Sequence, residues 1–374
     1  MQKKIIPYSR QFIDKSDINS VSRSLKQDLI TQGNNLEKLE SAICKTLNCK
    51  YAIACSNATA GLHMINMLFN KKKIAAPALT FFSTISTIIL SQNYPKLYDV
   101  DYSSLLIDID KLKKDKTNID IIINVLFAGN TINSHKLRKE FSKKIIIEDA
   151  SHALGSRYID GSPVGSCKYS DFTVFSLHPV KSITSGEGGI ITTNNRNFYN
   201  KLKLLRNHGI IRSSSRKYSW QYEINNLGLN YRLSEIQASL ALSQLKKLKK
   251  FINFRKKISK TYDNLFKKNE NIDLPQSSNL ERNNSAHHLY IIRLKSFKIR
   301  NLLFKKLKSY GIGSQVHYIP AYKFKIFDNK TYEKKLKNTE KHFKTCLSIP
   351  CFFKLEKNQV KYIAKTINLL TSKK

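Results

Sequence analysis

The stretch IIIEDASHALGSRYIDGSPVGSCKYSDFTVFSLHPVKSITSGEGG, residues 145–189, decides how this chain is read. Three isoleucines climb to an acid pair, Glu148 and Asp149, with His152 just beyond. A second apolar run, FTVFS, ends in Ser176 and is followed by His178 and a lone lysine, Lys181, ahead of a Gly-rich turn. Short apolar runs bounded by turn residues fit buried strands of a parallel sheet. Two such strands side by side would deliver a carboxylate and an amine to the same end of that sheet.

The pattern repeats outward from this stretch. YAIACSNATAGLHMINMLF is a strand, a turn at Ser56 and Asn57, and a helix. A helix opening at a strand end presents free N–H groups and a positive dipole end, which suits a phosphate. Ser, Asn and Thr there also serve as ordinary caps without any ligand. KKKIAAPALTFFSTISTIIL gives another strand, a Pro turn and a helix led by Phe81 and Phe82, and PKLYDVD and DIIINVLFAGN add strands. This alternation through residue 193 predicts an α/β fold with a largely parallel sheet covered on both faces. Ligands of such sheets bind outside the C-terminal strand ends, where Thr59, Phe81, Asn124, Asp149, Ser176 and Lys181 are expected to converge. Before the sheet, Ser16 and Asp17 are placed to cap DINSVSRSLKQDL, and LEKLESAICKTLN forms a second helix. After it, Ser234 and Gln237 have capping-box spacing at the head of one long helix. The lysine-rich end of that helix near 250 divides the chain into residues 1–248 and a smaller α+β unit, 249–374. The latter is expected to hold the loop QSSNLERNNSA, the strands HHLYIIRL and GIGSQVHYIP, and a final helix with Val360, Ile363, Ile367 and Leu370 on one face.

Composition excludes several classes. A chain of 374 residues, 41% hydrophobic, can bury a sizeable core. No apolar stretch approaches the roughly 20 residues a membrane span needs. The opening MQKKIIPYSRQ lacks the apolar core of a signal peptide, so a cytoplasmic location is expected. The formal net charge of +38 raises the question of nucleic acid. The lysines fall in short scattered groups without zinc-finger or helix-turn-helix spacing, so neither nucleic acid nor membrane is an expected partner. The charge is expected to draw in anionic substrates. The six cysteines form no CxxC pair, and no metal site is expected.

The chemistry follows from Asp149 and Lys181. A carboxylate can hold a pyridine nitrogen protonated, so that the ring acts as an electron sink, and a neutral lysine can bond an aldehyde. Those are the demands of pyridoxal 5′-phosphate. Each residue also has a plainer role: Asp149 capping a helix after ASHALG, His152 a semi-buried histidine, Phe81 a core aromatic, Lys181 a solvent-facing loop residue. Their order and spacing carry further. EDASHALGS, FSLHPVKSITSGEGG, SNATAGLH, LTFFST, NYRLSEIQA and the opening IPYSRQ with LITQG resemble the nucleotide-sugar aminotransferases of the DegT/DnrJ type, over nearly the whole chain.

That resemblance implies the aspartate-aminotransferase fold (fold type I) and homodimers with shared sites. It implies Lys181 as the residue bonded to the cofactor and later moving the proton, Asp149 on the ring nitrogen, and Phe81 and His152 near the ring. Ala58, Thr59 and Ser176 would hold the phosphate, with Asn230 reaching in from the partner copy. Tyr8, Arg232, His317 and Tyr318 fall where the family places groups near the sugar nucleotide. HPVK with ITSGEGG, HYIP and SEIQASLALSQLKK look most like a subgroup that takes an amino group from L-glutamate. It delivers that group to C4 of a UDP-linked 4-keto-6-deoxy-N-acetylhexosamine in pseudaminic acid synthesis. TQGN and SIPCFF depart from the family's usual TQGP and SLP, away from the expected chemistry. Three rivals stand beside this. A sugar dehydratase of the same fold would carry histidine in place of Lys181. A non-catalytic relative would lose Lys181 or Asp149. A basic nucleic-acid-binding protein would carry no chromophore.

Overall fold

The computed structural model describes residues 5–212, 218, 220–275, 282–327 and 331–372. Helices α1 (Lys15–Ser24) and α2 (Asn34–Leu47) lead into β1 (Tyr51–Cys55), α3 (Ala58–Asn66), β2 (Lys73–Pro77), α4 (Ser83–Leu90) and β3 (Tyr94–Tyr98). Then follow α5 (Ile109–Lys114), β4 (Ile121–Val125), α6 (Ser134–Glu140), β5 (Ile145–Asp149), β6 (Phe172–Ser176), β7 (Gly189–Thr193) and α7 (Arg196–Arg206). The expected start of α1 is corrected. Asp14 caps it, accepting from the amides of Ser16 and Asp17, while Asp17 is the return arm of a capping box.

These strands form one seven-stranded sheet in the order β1-β7-β6-β5-β4-β2-β3. Only β7 runs against its neighbours, pairing antiparallel with β1 and β6, so the sheet is mixed and mostly parallel as expected. Side chains alternate across it. Ala52 and Ala54 of β1 face a core shared with α2, whereas Ile53 and Cys55 face the opposite core with α3 and α4. Both faces are covered, which is why Ile121, Ile122 and Ile123 are all buried despite that alternation. In register, Gly189 pairs with Cys55 on one side and Ser176 on the other. The start of β7 is thereby wedged between the start of α3 and the end of β6.

The hairpin strands β8 (Ile210–Ile211) and β9 (Glu223–Ile224) precede α8 (Glu235–Leu245) and α9 (Leu248–Phe266). The single long helix expected after Ser234 is therefore two, broken at Lys246 and Lys247, although Ser234 and Gln237 do make the capping box. Helix α9 joins both cores: Leu248 and Phe251 pack under the large sheet, while Ile258, Tyr262 and Phe266 pack in a second cluster. That second cluster lies on a three-stranded antiparallel sheet of β10 (Ile272–Asp273), β11 (Tyr290–Leu294) and β12 (Cys346–Ile349). Helices α10 (Phe297–Ser309), α11 (Thr331–Lys335), α12 (Lys337–Thr345) and α13 (Lys357–Ser372) complete the chain. Val360, Ile363 and Ile367 of α13 are buried as expected, and Leu370 packs half-buried against the same cluster. GIGSQVHYIP is not a strand; Ile312 and Gln315 make only single bridges, to Ile6 and Ser348. Residues 276–281 of the expected loop lie outside the described residues.

Candidate active site

A cavity of about 750 Å³ opens at the C-terminal ends of the parallel strands. Of the residues expected at the site, Tyr8, Ala58, Thr59, Phe81, Asp149, His152, Ser176, Lys181, His317 and Tyr318 line it. Asn124 does not: it is buried within β4 and donates to Asn133 at 3.1 Å, while the next residue, Val125, lines the cavity. Alternation along a strand sends adjacent side chains to opposite faces, so one step in register misplaced it. Asn230 is exposed and Arg232 donates to Asn207 Oδ1 at 2.5 Å, both outside the lining of this chain's own cavity.

Asp149 ends β5 and is buried. Its Oδ2 accepts from Thr84 Oγ1 at 2.8 Å, and its Oδ1 from Ser151 Oγ at 2.7 Å and Ser151 N at 3.2 Å. Three donors fix the carboxylate's direction. The plainer role, capping a helix after ASHALG, has no helix to serve: residues 151–155 are turns, with Gly155 at φ +95°. The neighbouring acid, Glu148, points away into the interior, where Ser134 Oγ donates at 2.6 Å and Tyr158 Oη at 2.5 Å. Burial pushes its carboxyl up.

Lys181 follows β6 in a tight turn, its amide donating to His178 O at 2.9 Å. Burial, with Arg255 adding to it and Asp149 opposing, brings its amine down to about 8. A fold that lowers the amine this far keeps a useful neutral fraction near pH 7, which a nucleophilic lysine needs.

Above these, His152 Nδ1 accepts from the Ala128 amide at 3.3 Å, and its Nε2 meets Tyr318 Oη at 3.0 Å. Burial first, then Lys181 and His317, holds His152 well below its ordinary value, so it is neutral. With Nδ1 accepting, Nε2 carries the proton and donates to Tyr318, which leaves the tyrosine's own O–H free to donate. His317 is likewise held neutral, down to about 3, chiefly by burial; its Nδ1 meets Ser348 Oγ at 2.9 Å and its Nε2 the Tyr8 hydroxyl at 3.4 Å. Burial also raises the Tyr8 and Tyr318 phenols, so both stay protonated.

The donor set fits pyridoxal 5′-phosphate. Asn57 caps α3 through Ala60 N alone, so the amides of Ala58 and Thr59 at that helix start have no helical partner and line the cavity beside Ser176. The close approach is built by Gly189, where a Cβ would lie 2.4 Å from the backbone of Asn57 and 2.7 Å from Ala58 N. Phe81, 61% exposed, lines the cavity beside Tyr318, the two ring centroids 5.9 Å apart. Sequence reasoning missed Thr84, Ser151, Tyr231 and His288. The cue for Thr84 was available, because it lies three residues beyond Phe81 at the head of α4. Tyr231, whose carbonyl accepts from Ser56 N at 2.9 Å, had no local signal.

The model of the DegT/DnrJ/EryC1/StrS aminotransferase family matches residues 11–368. A UDP-4-amino-4,6-dideoxy-N-acetyl-beta-L-altrosamine transaminase of Campylobacter jejuni subsp. jejuni serotype O:23/36 (strain 81-176) is 36% identical, covering 97% of this chain and 96% of the relative. Among solved structures, PseC of Helicobacter pylori, an aminotransferase involved in pseudoaminic acid biosynthesis, superposes with a TM-score of 0.92 at 30% identity, covering 99% of this chain and 100% of that one. A protein of Streptococcus pneumoniae assigned as a sugar aminotransferase, in its PLP form, superposes with a TM-score of 0.90 at 28% identity, covering 99% of each chain.

Proposed function

The chain belongs to the DegT/DnrJ/EryC1/StrS aminotransferase family, and from that premise we propose the reaction and the role of each residue. It is a pyridoxal-phosphate-dependent aminotransferase that moves the amino group of L-glutamate to C4 of a UDP-linked 4-keto-6-deoxy-N-acetylhexosamine, a step of pseudaminic acid synthesis. The observation that carries this is the meeting of Asp149 and a depressed Lys181 in one cavity at the head of α3, in a chain 36% identical to a transaminase of that description.

When bound, pyridoxal 5′-phosphate supplies an electron sink for breaking a C–H bond beside nitrogen. The chain's residues do the rest. The amides of Ala58 and Thr59 and the Ser176 hydroxyl take the phosphate. Asp149, aimed by Thr84 and Ser151, would accept a hydrogen bond from the protonated ring nitrogen and favour its charged form. Phe81 would lie against the ring. Lys181 would hold the cofactor by its aldehyde carbon and, as a neutral amine, would take up the proton leaving the donor's α-carbon. In the second half it would supply the proton to C4 of the sugar. Tyr318, its oxygen already supplied by His152, donates toward the acceptor, and Tyr8 and His317 complete that wall.

The same reading pairs two copies of the chain, so that Asn230 of the partner subunit completes the phosphate site, with Arg232 beside the sugar nucleotide. It divides each copy at 248/249, where α9 begins, into a cofactor-binding part and a smaller C-terminal part. It places the enzyme in the cytoplasm, in keeping with six free thiols and with no described helix long and apolar enough to cross a membrane.

The test is product analysis by mass spectrometry with L-glutamate and a UDP-4-keto-6-deoxy-N-acetylhexosamine. A 4-amino sugar with stoichiometric 2-oxoglutarate is expected, and none from folded Lys181→Ala. Product from that variant would remove the role given to the lysine; amination at C3 alone would remove the regiochemistry.

A further inference from the structure

Arg255 lies midway along α9, where that helix passes from the core under the large sheet to the second core. It is 3% exposed. Its Nη1 donates to Cys351 O at 2.6 Å and His288 O at 3.2 Å, and its Nη2 to Val180 O at 3.2 Å and Lys181 O at 3.4 Å. One planar fork thus ties the turn of the reactive lysine to two backbone segments of the C-terminal half. Nε has no partner, and no carboxylate among the described residues pairs with the guanidinium. Its ionisable neighbours include the Tyr8 phenol, which burial keeps protonated, the Cys351 thiol and the Lys181 amine.

Buried arginines are normally matched by a carboxylate, because an uncompensated charge costs several kcal/mol to bury. A fold that instead holds guanidinium on carbonyl oxygens beside a lysine keeps an unneutralised positive charge there. We propose that Arg255 is a positioning residue for Lys181: it fastens the lysine's turn to the C-terminal half and presents to its amine a positive charge that works against the pull of Asp149. The groups facing the amine are Asp149, His152, His288, His317 and Arg255. The three histidines are held neutral by burial, so the standing charges are one carboxylate and one guanidinium. Like charge at short range disfavours the ammonium, and a fixed turn keeps the amine aimed into the cavity.

This deepens the role given to Lys181 above and rests on it, so its test reads the amine directly. Cofactor-free protein is labelled with an amine-reactive reagent across pH, and labelling of Lys181 is followed by peptide mass spectrometry. Wild type should titrate with a midpoint of about 8. In Arg255→Gln the midpoint should rise by about one unit. In Arg255→Lys, which keeps the charge but loses the fork, it should stay near the wild-type value. Hydrogen exchange over residues 180–184 should then be several-fold faster in both variants, because lysine cannot span four carbonyls. Should Arg255→Gln not fold, Arg255→Lys alone decides: wild-type exchange at the lysine's turn overturns the proposal. So does an unmoved midpoint in folded Arg255→Gln. Neither readout involves a sugar or turnover, so failure of the substrate assignment appears separately, in the product assay.

Discussion

Substituting Gly189 by alanine tests the phosphate cradle without touching any group that does chemistry. The added Cβ would lie 2.4 Å from both the carbonyl carbon and oxygen of Asn57, and 2.7 Å from Ala58 N. Ordinary contact begins at 3.4 Å, so about 1 Å must be found between strand β7 and the first turn of α3. Neither side yields easily. Gly189 is paired in the ladder to Cys55 and Ser176, and Asn57 is held by its own cap to Ala60. Overpacking of this kind costs about 1–3 kcal/mol. The displaced atoms are the amides assigned to the phosphate, so much of that cost should fall on cofactor binding. The dissociation constant for pyridoxal 5′-phosphate should rise about five- to 150-fold. Titrating cofactor-free protein and following absorbance gives the constant, and circular dichroism reports the fold. A folded Gly189→Ala with wild-type affinity would refute the placement of the phosphate at the head of α3.

Four further outcomes are expected. The Lys181 amine is lowered to about 8, so below that pH the ammonium dominates. Capture of pyridoxal phosphate by cofactor-free protein should therefore slow about tenfold per unit as pH falls below 8 and level off above it; levelling only near 10.5 contradicts the depressed amine. Asp149→Asn keeps the shape but loses the charge, and turnover should fall at least about a hundredfold with the fold retained, as read by single-turnover kinetics. Glu148→Ala strands the Ser134 and Tyr158 hydroxyls, and urea denaturation should show a loss of about 2–4 kcal/mol without any change in cofactor affinity. Mixing Lys181→Ala with Asn230→Ala should restore about a quarter of wild-type activity if sites are shared across a two-fold dimer; no recovery after subunit exchange contradicts that arrangement.

The strands and their C-terminal ends were legible because both faces of the sheet are buried, which leaves continuous apolar runs such as IIINV and IIIED standing out from their surroundings. Asp149, Ser176 and Lys181 followed from those ends. Asn124 did not, since a run buried on both faces carries no period-two signal to say which face a residue takes. Asp14 was passed over as a cap because Ser16 and Asp17 look equally suitable, and only the carboxylate's contacts decide among them. The break at Lys246 and Lys247 was hidden by residues that all favour helix. Thr84 and Arg255 meet the reactive pair across separations of 65 and 74 residues, where sequence spacing says nothing.

The most direct measurement is the visible absorption of the cofactor-loaded protein as L-glutamate and then a UDP-4-keto-6-deoxy-N-acetylhexosamine are added. The band of lysine-bound cofactor should bleach with the donor and return with the acceptor, and Lys181→Ala should show neither change. A band indifferent to glutamate would contradict the aminotransferase assignment. A band that bleaches but is not restored by the UDP-4-keto sugar would contradict the acceptor.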